Sequence, residues 1–149
     1  MSKRLLIITA VLAIAGVCAV GAFAAQPKSE GFYGGTFKDG KNYVNFLVDT
    51  SNKIPVVDVQ YVCKGKSVIA PTSKRFRPRR ISSTGAFSFT YKSRIISNDG
   101  HARKVARGRV TIRGRFVSST RAKGTARVKS TKCPKRKQGF VARGPQIEG

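Results

Sequence analysis

The sequence predicts an all-β protein: a single antiparallel β-sandwich or small barrel that follows an N-terminal signal-peptide helix. Three observations support this prediction. Apolar and polar residues alternate with a period of two, helical periodicity is nearly absent after the leader, and turn-forming residues separate the alternating segments. We expect about seven or eight short strands in one domain over 25–143, preceded by a signal peptide over 1–24 and followed by a disordered tail over 144–149.

The N-terminal segment has the organisation of a secretory signal peptide. Lys3 and Arg4 provide the positive start, an uncharged apolar run follows over 5–20, and Ala22-Phe23-Ala24 presents the small residues that signal peptidase requires. We therefore predict cleavage after Ala24 and an extracytoplasmic protein, either secreted or associated with the cell envelope.

Two alternatives to cleavage stay open for this leader. Its apolar run is long enough to remain as a membrane anchor, since a helix crosses a bilayer in roughly 20 residues. Cys18 lies near the position of a lipoprotein cysteine, but Val17 stands before it where that signal requires a smaller residue.

The alternating segments that follow are the predicted strands, and each has one apolar side. They cover 44–48, 57–63, 87–91, 109–116 and 121–129. Asp39-Gly40 is a strong hairpin signal between 32–38 and 42–49, because this dipeptide tolerates the positive φ of a tight turn. Further breaks are expected at 50–55, at Asn98-Asp99-Gly100 and at Ser118-Ser119-Thr120.

The charge of the chain is strongly unbalanced. The sequence has 30 Lys and Arg against 6 Asp and Glu, a net charge of +24, and removal of Lys3 and Arg4 with the leader leaves +22. Thirteen basic and five acidic residues in 26–100 give +8, whereas fifteen basic and one acidic residue in 101–149 give +14. The second half is therefore the expected contact surface for an anionic partner.

Two cysteines remain after cleavage, Cys63 and Cys133. Because an exported protein folds in an oxidising compartment, we predict that they form a disulfide. The bridge would offset part of the repulsion among the basic side chains by restricting the unfolded chain.

Three basic clusters are candidate binding sites for polyanions. The first is the run 74–80, in which Pro78 prevents a regular helix, and the second is the run of Lys132, Lys135, Arg136 and Lys137. The third depends on pairing of 109–116 with 121–129, which would place seven basic side chains on one sheet face and Phe116 on the core side. The candidate polyanion-binding residues are Lys74, Arg75, Arg77, Arg79, Arg80, Arg109, Arg113, Arg115, Arg121, Lys123, Arg127 and Lys129.

Catalytic and metal-binding patterns are not evident. The one histidine, His101, has Asp99 and Ser97 nearby, but a short polar loop of this kind is typical of a solvated turn. The six acids are scattered along the chain, and one histidine with two disulfide sulfurs makes no metal-ligand set. We expect no enzyme activity, metal or cofactor.

Several short motifs resemble small exported β-domain proteins of actinobacteria over residues 31–143. They are Gly31-Phe-Tyr-Gly-Gly-Thr, the strand ending in Cys63, Ile112-Arg-Gly-Arg-Phe116, Arg121-Ala-Lys-Gly-Thr125, and Cys133 followed by Phe140-Val-Ala-Arg143. These motifs consist mostly of structural glycines and core aromatics. The resemblance implies a β-domain and export, and it implies no activity.

The sequence therefore predicts a non-enzymatic exported protein that associates electrostatically with anionic envelope material. Wall polymer, phospholipid head groups and extracellular nucleic acid are the partner classes, with contact to the nucleic-acid backbone and no sequence preference. A protein-binding module such as a toxin, inhibitor or adhesin is an alternative, as is a hydrolase that uses His101.

The leader prediction is tested by mass spectrometry of the exported protein. The mature chain should begin at Ala25, because Ala22-Phe23-Ala24 ends the apolar run. A mature species that still carries Met1, or one that begins at an acylated Cys18, would contradict it.

Overall fold

The computed structural model describes residues 25–28 and 30–146, all of which lie in strands or in the segments that connect them. The predicted signal-peptide helix and its cleavage site fall in 1–24, outside the described residues. The strands are β1 (Gly31–Phe37), β2 (Tyr43–Val48), β3 (Lys53–Ile54), β4 (Val57–Cys63), β5 (Lys66–Pro71), β6 (Arg79–Arg80), β7 (Ala86–Ser97), β8 (Lys104–Ser118), β9 (Arg121–Ser130) and β10 (Arg136–Gln146). Within the described part of the chain, no helix has the length and apolarity to cross a bilayer.

Eight of the strands close into an antiparallel barrel in the order β1-β10-β9-β8-β7-β5-β4-β2. The short strands β3 and β6 form a separate two-stranded sheet, in which Lys53 pairs with Arg80 and Ile54 with Arg79. The predicted all-β fold is confirmed, and β1 completes the closure because it pairs with β2 on one side and with β10 on the other.

Two of the predicted hairpins are observed, and local turn chemistry explains the first. At the predicted Asp39-Gly40 turn, Gly40 has φ 66° and the Asp39 carboxylate accepts hydrogen bonds from the N–H groups of Lys41 and Asn42. Between β8 and β9, Val110 pairs with Val128 and Ile112 with Ala126, so the predicted pairing of these two strands is observed.

Aromatic side chains fill the barrel interior. Tyr33 stacks on Phe46 with ring centroids 5.5 Å apart, and Phe116 meets Tyr33 edge-on at 5.1 Å. Phe87 lies 5.8 Å from Phe116, and all four rings are buried. An eight-stranded barrel has an interior just wide enough to be filled by side chains, so these rings hold opposite walls together.

Two glycines on adjacent strands make room for these rings. Gly114 and Gly124 face each other across β8 and β9, and Phe87 and Phe140 occupy the space where their Cβ atoms would stand. The aromatic rings bury glycine backbone that would otherwise be uncovered. Glycine at such positions also allows a sheet to bend sharply.

The residues before β1 cover one end of the barrel. The N–H of Lys28 donates to the Ser119 carbonyl at 2.8 Å. The Tyr33 hydroxyl lies 2.9 Å from the carbonyl oxygens of Lys28 and Ser119. Pro27 is buried beneath this contact. The start of the domain is therefore fixed to the β8–β9 turn.

The predicted disulfide between Cys63 and Cys133 is present and buried, with a sequence separation of 70 residues. It joins the end of β4 to the loop between β9 and β10. Strand order separates β4 from β10 by β2 and β1, so the bridge connects parts of the barrel that do not pair directly. Closing a loop of this length lowers the conformational entropy of the unfolded chain, which stabilises the folded state by about 4 kcal/mol in the chain-entropy model.

The predicted disordered tail over 144–149 is wrong for its first three residues. β10 continues to Gln146, which pairs with Phe32 of β1, so 144–146 belong to the barrel, and 147–149 lie outside the described residues. Glycine and proline at 144–145 suggested a tail, but pairing with β1 extends the strand through them.

The paired glycines give a test of the packing. Gly124→Ala should destabilise the domain by about 1–3 kcal/mol, because the added Cβ would overlap the Arg113 carbonyl oxygen and press on the Phe140 ring at 2.7 Å. Gly139→Ala is the matched control on the neighbouring strand, where the nearest atoms to an added Cβ are 3.7 Å away. Urea unfolding measures both, and equal stability of the two variants would contradict this account.

Candidate functional site

Charge divides the barrel into two halves. The four adjacent strands β10, β9, β8 and β7 contain fourteen basic residues and no acid. The other four, β1, β2, β4 and β5, contain one basic residue, Lys66, and one acid, Asp58. The charge of the barrel strands is therefore concentrated on one side.

Alternation along the strands turns most of these basic side chains outward, because the intervening residues fill the interior. We call this outer surface of β7–β10 the cationic wall. Its outward basic residues are Lys92, Arg94, Arg107, Arg109, Arg113, Arg115, Arg121, Lys123, Arg127, Lys129, Lys137 and Arg143.

Strand register places like charges side by side on the cationic wall. Arg109 of β8 stands opposite Lys92 of β7 on one side and Lys129 of β9 on the other. Arg121 likewise stands opposite Arg143. Like charges directly opposite each other on antiparallel strands are destabilising, so the wall carries unrelieved repulsion.

The acids of the described residues lie outside the four wall strands. The Asp49 carboxylate accepts hydrogen bonds from the N–H groups of Ser51 and Lys53, both at 2.9 Å. Asp58 accepts from the Asn45 amide at 3.2 Å on the opposite half of the barrel, and burial raises the pKa of its carboxyl. These carboxylates stabilise turns and strand pairs, and no described acid lies on a strand of the cationic wall.

Three clefts follow one another along the wall. The largest, about 610 Å³, lies among Lys92, Arg94, Lys104 and Arg107. A second, about 300 Å³, shares Lys92 and Arg107 with it and extends to Arg109 and Lys129. The third, about 200 Å³, continues from Arg109 and Lys129 and is lined by the residues Thr90, Arg109, Thr111, Arg127 and Lys129. Together they form a basic surface across β7, β8 and β9, with neighbouring clefts that share lining residues.

The basic run over 74–80 lies apart from the wall, in the connection between β5 and β7. Its charged side chains are exposed, but Phe76 packs inward, 5.7 Å from the Phe89 ring and 5.6 Å from that of Tyr91. Arg79 lies over Phe76 at 6.0 Å and belongs to β6. The run is therefore anchored to the barrel. None of its residues lines the largest cleft, which is lined by the preceding residue Ser73.

The second basic run extends the wall. Lys137 of β10 stands opposite Arg127 of β9. Lys132 shares a cleft of about 320 Å³ with Lys104 and Arg107. The loop that holds Cys133 thus brings this run against the edge of the cationic wall.

The residues around His101 form a turn. The Ser97 hydroxyl donates to the Asp99 carboxylate at 2.7 Å, and the N–H of His101 donates to the same oxygen at 3.0 Å. These two hydrogen bonds lower the pKa of the Asp99 carboxyl. The Ser97 proton points to Asp99 rather than to an imidazole, so this geometry gives no activated nucleophile. Among the described residues, no group of three or more His, Cys, Asp or Glu is placed to hold a metal ion.

The structure places all seven predicted residues of the β8–β9 face on the wall, and it adds residues that sequence reasoning missed. Lys92 and Arg94 continue the β7 alternation past Tyr91, and Lys104 and Arg107 belong to β8, which begins earlier than expected. Ser93 and Ile95 alternate with the basic residues Lys92 and Arg94. This alternation was the sequence signal that the strand continues past Tyr91.

Comparisons with protein-family models, with curated proteins and with solved structures find no match to this chain. The resemblance to exported β-domain proteins of actinobacteria stays a prediction.

Proposed function

We propose that the protein is an exported, non-enzymatic β-barrel that associates electrostatically with anionic envelope material through its cationic wall. Wall polymer, phospholipid head groups and extracellular nucleic acid are the candidate partners. The observation that carries the proposal is the segregation of charge: fourteen basic residues and no acid on four adjacent strands, with the acids engaged elsewhere. The buried disulfide is consistent with a protein that works outside the cytoplasm.

The proposed contact is to backbone charge rather than to bases. Stacking platforms for single-stranded nucleic acid need aromatic rings on the binding surface. On β7–β10 the rings point inward: Phe87, Phe89, Phe116 and Phe140 are all buried. Binding should therefore depend on the density of phosphate or other anionic groups and not on base sequence.

Exposed apolar residues favour a protein partner as a second candidate function. Tyr43 of β2 and Val141 of β10 both stand opposite Thr36 of β1, and they are 42% and 38% exposed. Phe32 of β1 is 44% exposed on the same side. A packed protein interface at this patch would be much less sensitive to salt than a wall that releases counter-ions.

A salt titration of binding to a single-stranded oligonucleotide tests the first proposal. The logarithm of the affinity should fall linearly with the logarithm of the NaCl concentration. The variant Arg113→Gln/Arg115→Gln/Lys123→Gln should reduce this slope by up to about 2, because each lost phosphate contact removes about 0.7. The fold should survive, since the substitutions remove like charges from paired strands.

The matched control is Lys41→Gln/Lys64→Gln/Lys66→Gln, which removes the same charge from exposed positions away from the wall, in two turns and at the start of β5. Its slope should stay close to that of the unmodified protein. Equal slopes for the two triple variants would mean that net charge alone drives the association, and a slope near zero for the unmodified protein would contradict electrostatic binding.

A further inference from the structure

The smallest cleft of the cationic wall has the features of a discrete anion site. Its volume is about 200 Å³, and it is lined by Thr90 of β7, Arg109 and Thr111 of β8, and Arg127 and Lys129 of β9. Pockets for drug-sized ligands span roughly 300–1,000 Å³. The cleft therefore suits a single small group rather than a whole metabolite.

The floor of this cleft carries an uncommitted hydroxyl proton. Thr90 and Thr111 stand directly opposite each other, and their hydroxyl oxygens are 2.9 Å apart. One hydroxyl donates to the other, and the acceptor keeps its own O–H free. Either arrangement leaves one donor available to a ligand above the floor.

The walls of the cleft supply positive charge. Lys129 stands opposite Arg109, and Arg127 stands opposite Thr111. All three of these basic residues line the cleft. A pair of facing cations such as Arg109 and Lys129 is destabilising. An anion in the cleft would relieve this repulsion.

We propose that this cleft binds a tetrahedral oxyanion, such as a phosphate or sulfate ester group of an anionic polymer. The inference rests on the proposed function and specifies the anionic group that the wall recognises. The lining donors belong to three adjacent strands and combine hydroxyl, guanidinium and ammonium groups. A carboxylate offers two oxygens in one plane and is matched by a single guanidinium fork, whereas a tetrahedral oxyanion offers three or four oxygens to donors from several directions.

Titration of the mature protein with sodium phosphate, sodium sulfate and sodium acetate at constant ionic strength tests this site. Backbone amide NMR shifts of Thr90, Thr111 and Arg127 should saturate with phosphate, with sulfate or with both, and should not saturate with acetate over the same range. The phosphate and sulfate arms distinguish the two ester types.

The decisive variant is Thr90→Val/Thr111→Val, which removes both hydroxyls and keeps every charge. Affinity for the preferred oxyanion should fall at least about tenfold, since hydrogen bonds to charged groups are worth that much or more. Thr125→Val is the matched control, because Thr125 is exposed on the same wall opposite Arg113 and lies outside the cleft. It should bind like the unmodified protein.

The outcomes separate this inference from the proposed function. Saturable, hydroxyl-dependent oxyanion binding supports the site. Salt-dependent binding of the oligonucleotide with equal, unsaturating responses to acetate and phosphate would overturn the site and keep the proposed function. Absence of oligonucleotide binding by the unmodified protein, together with equal, unsaturating responses to acetate and phosphate, would overturn both. The NMR titration of the unmodified protein decides these cases even if the double variant folds poorly.

Discussion

Repulsion among like charges on four adjacent strands is the constraint to which the rest of this structure responds. β7, β8, β9 and β10 contain fourteen basic residues and no acid, and strand register sets Arg109 between Lys92 and Lys129. Among the described residues, no acid lies on these strands, and Asp49 and Asp58 stabilise a turn and the opposite half of the barrel. The four strands are instead held together from the inside and by covalent linkage.

The interior provides the larger share of that cohesion. Tyr33, Phe46, Phe87 and Phe116 link strands on both halves of the barrel, so the cationic wall is packed against the nearly neutral one. The β1–β10 ladder closes the ring, so the two halves are joined on that side by paired strands. The disulfide then ties the β9–β10 loop to the end of β4 across strands that do not pair. Together these features permit an outer surface selected for charge rather than for stability.

Period-two alternation predicted much of this arrangement, because in a barrel each residue faces either inward or outward. It predicted the strand class, the outward basic residues of β8 and β9, and the inward position of Phe116. The disulfide followed from the cysteine count and the leader. Closure into a barrel was not distinguishable from a sandwich, because the pairing of β1 with β10 joins the two ends of the chain.

The extent of the wall was underestimated for a local reason. Lys92 and Arg94 follow a predicted strand that was ended at Tyr91, and the continuation of β7 is visible only through its pairing with the early residues of β8. The small anion cleft was also beyond sequence reasoning, because it requires the register that sets Thr90 against Thr111 and Arg127 beside them. Register is fixed by interior packing and by bulges, which the alternation does not reveal.

The most direct test of the central claim is the salt dependence of stability. Raising ionic strength from about 0.01 M to 0.15 M shortens the Debye length from about 30 Å to 8 Å and weakens repulsion between exposed charges. The free energy of unfolding, measured in urea, should rise with NaCl. The rise should be smaller in Arg113→Gln/Arg115→Gln/Lys123→Gln than in Lys41→Gln/Lys64→Gln/Lys66→Gln, because only the first variant removes charge from the wall. A free energy of unfolding that falls or stays constant with salt, or an equal rise in the two variants, would contradict the claim that the cationic wall is where the fold is under electrostatic strain.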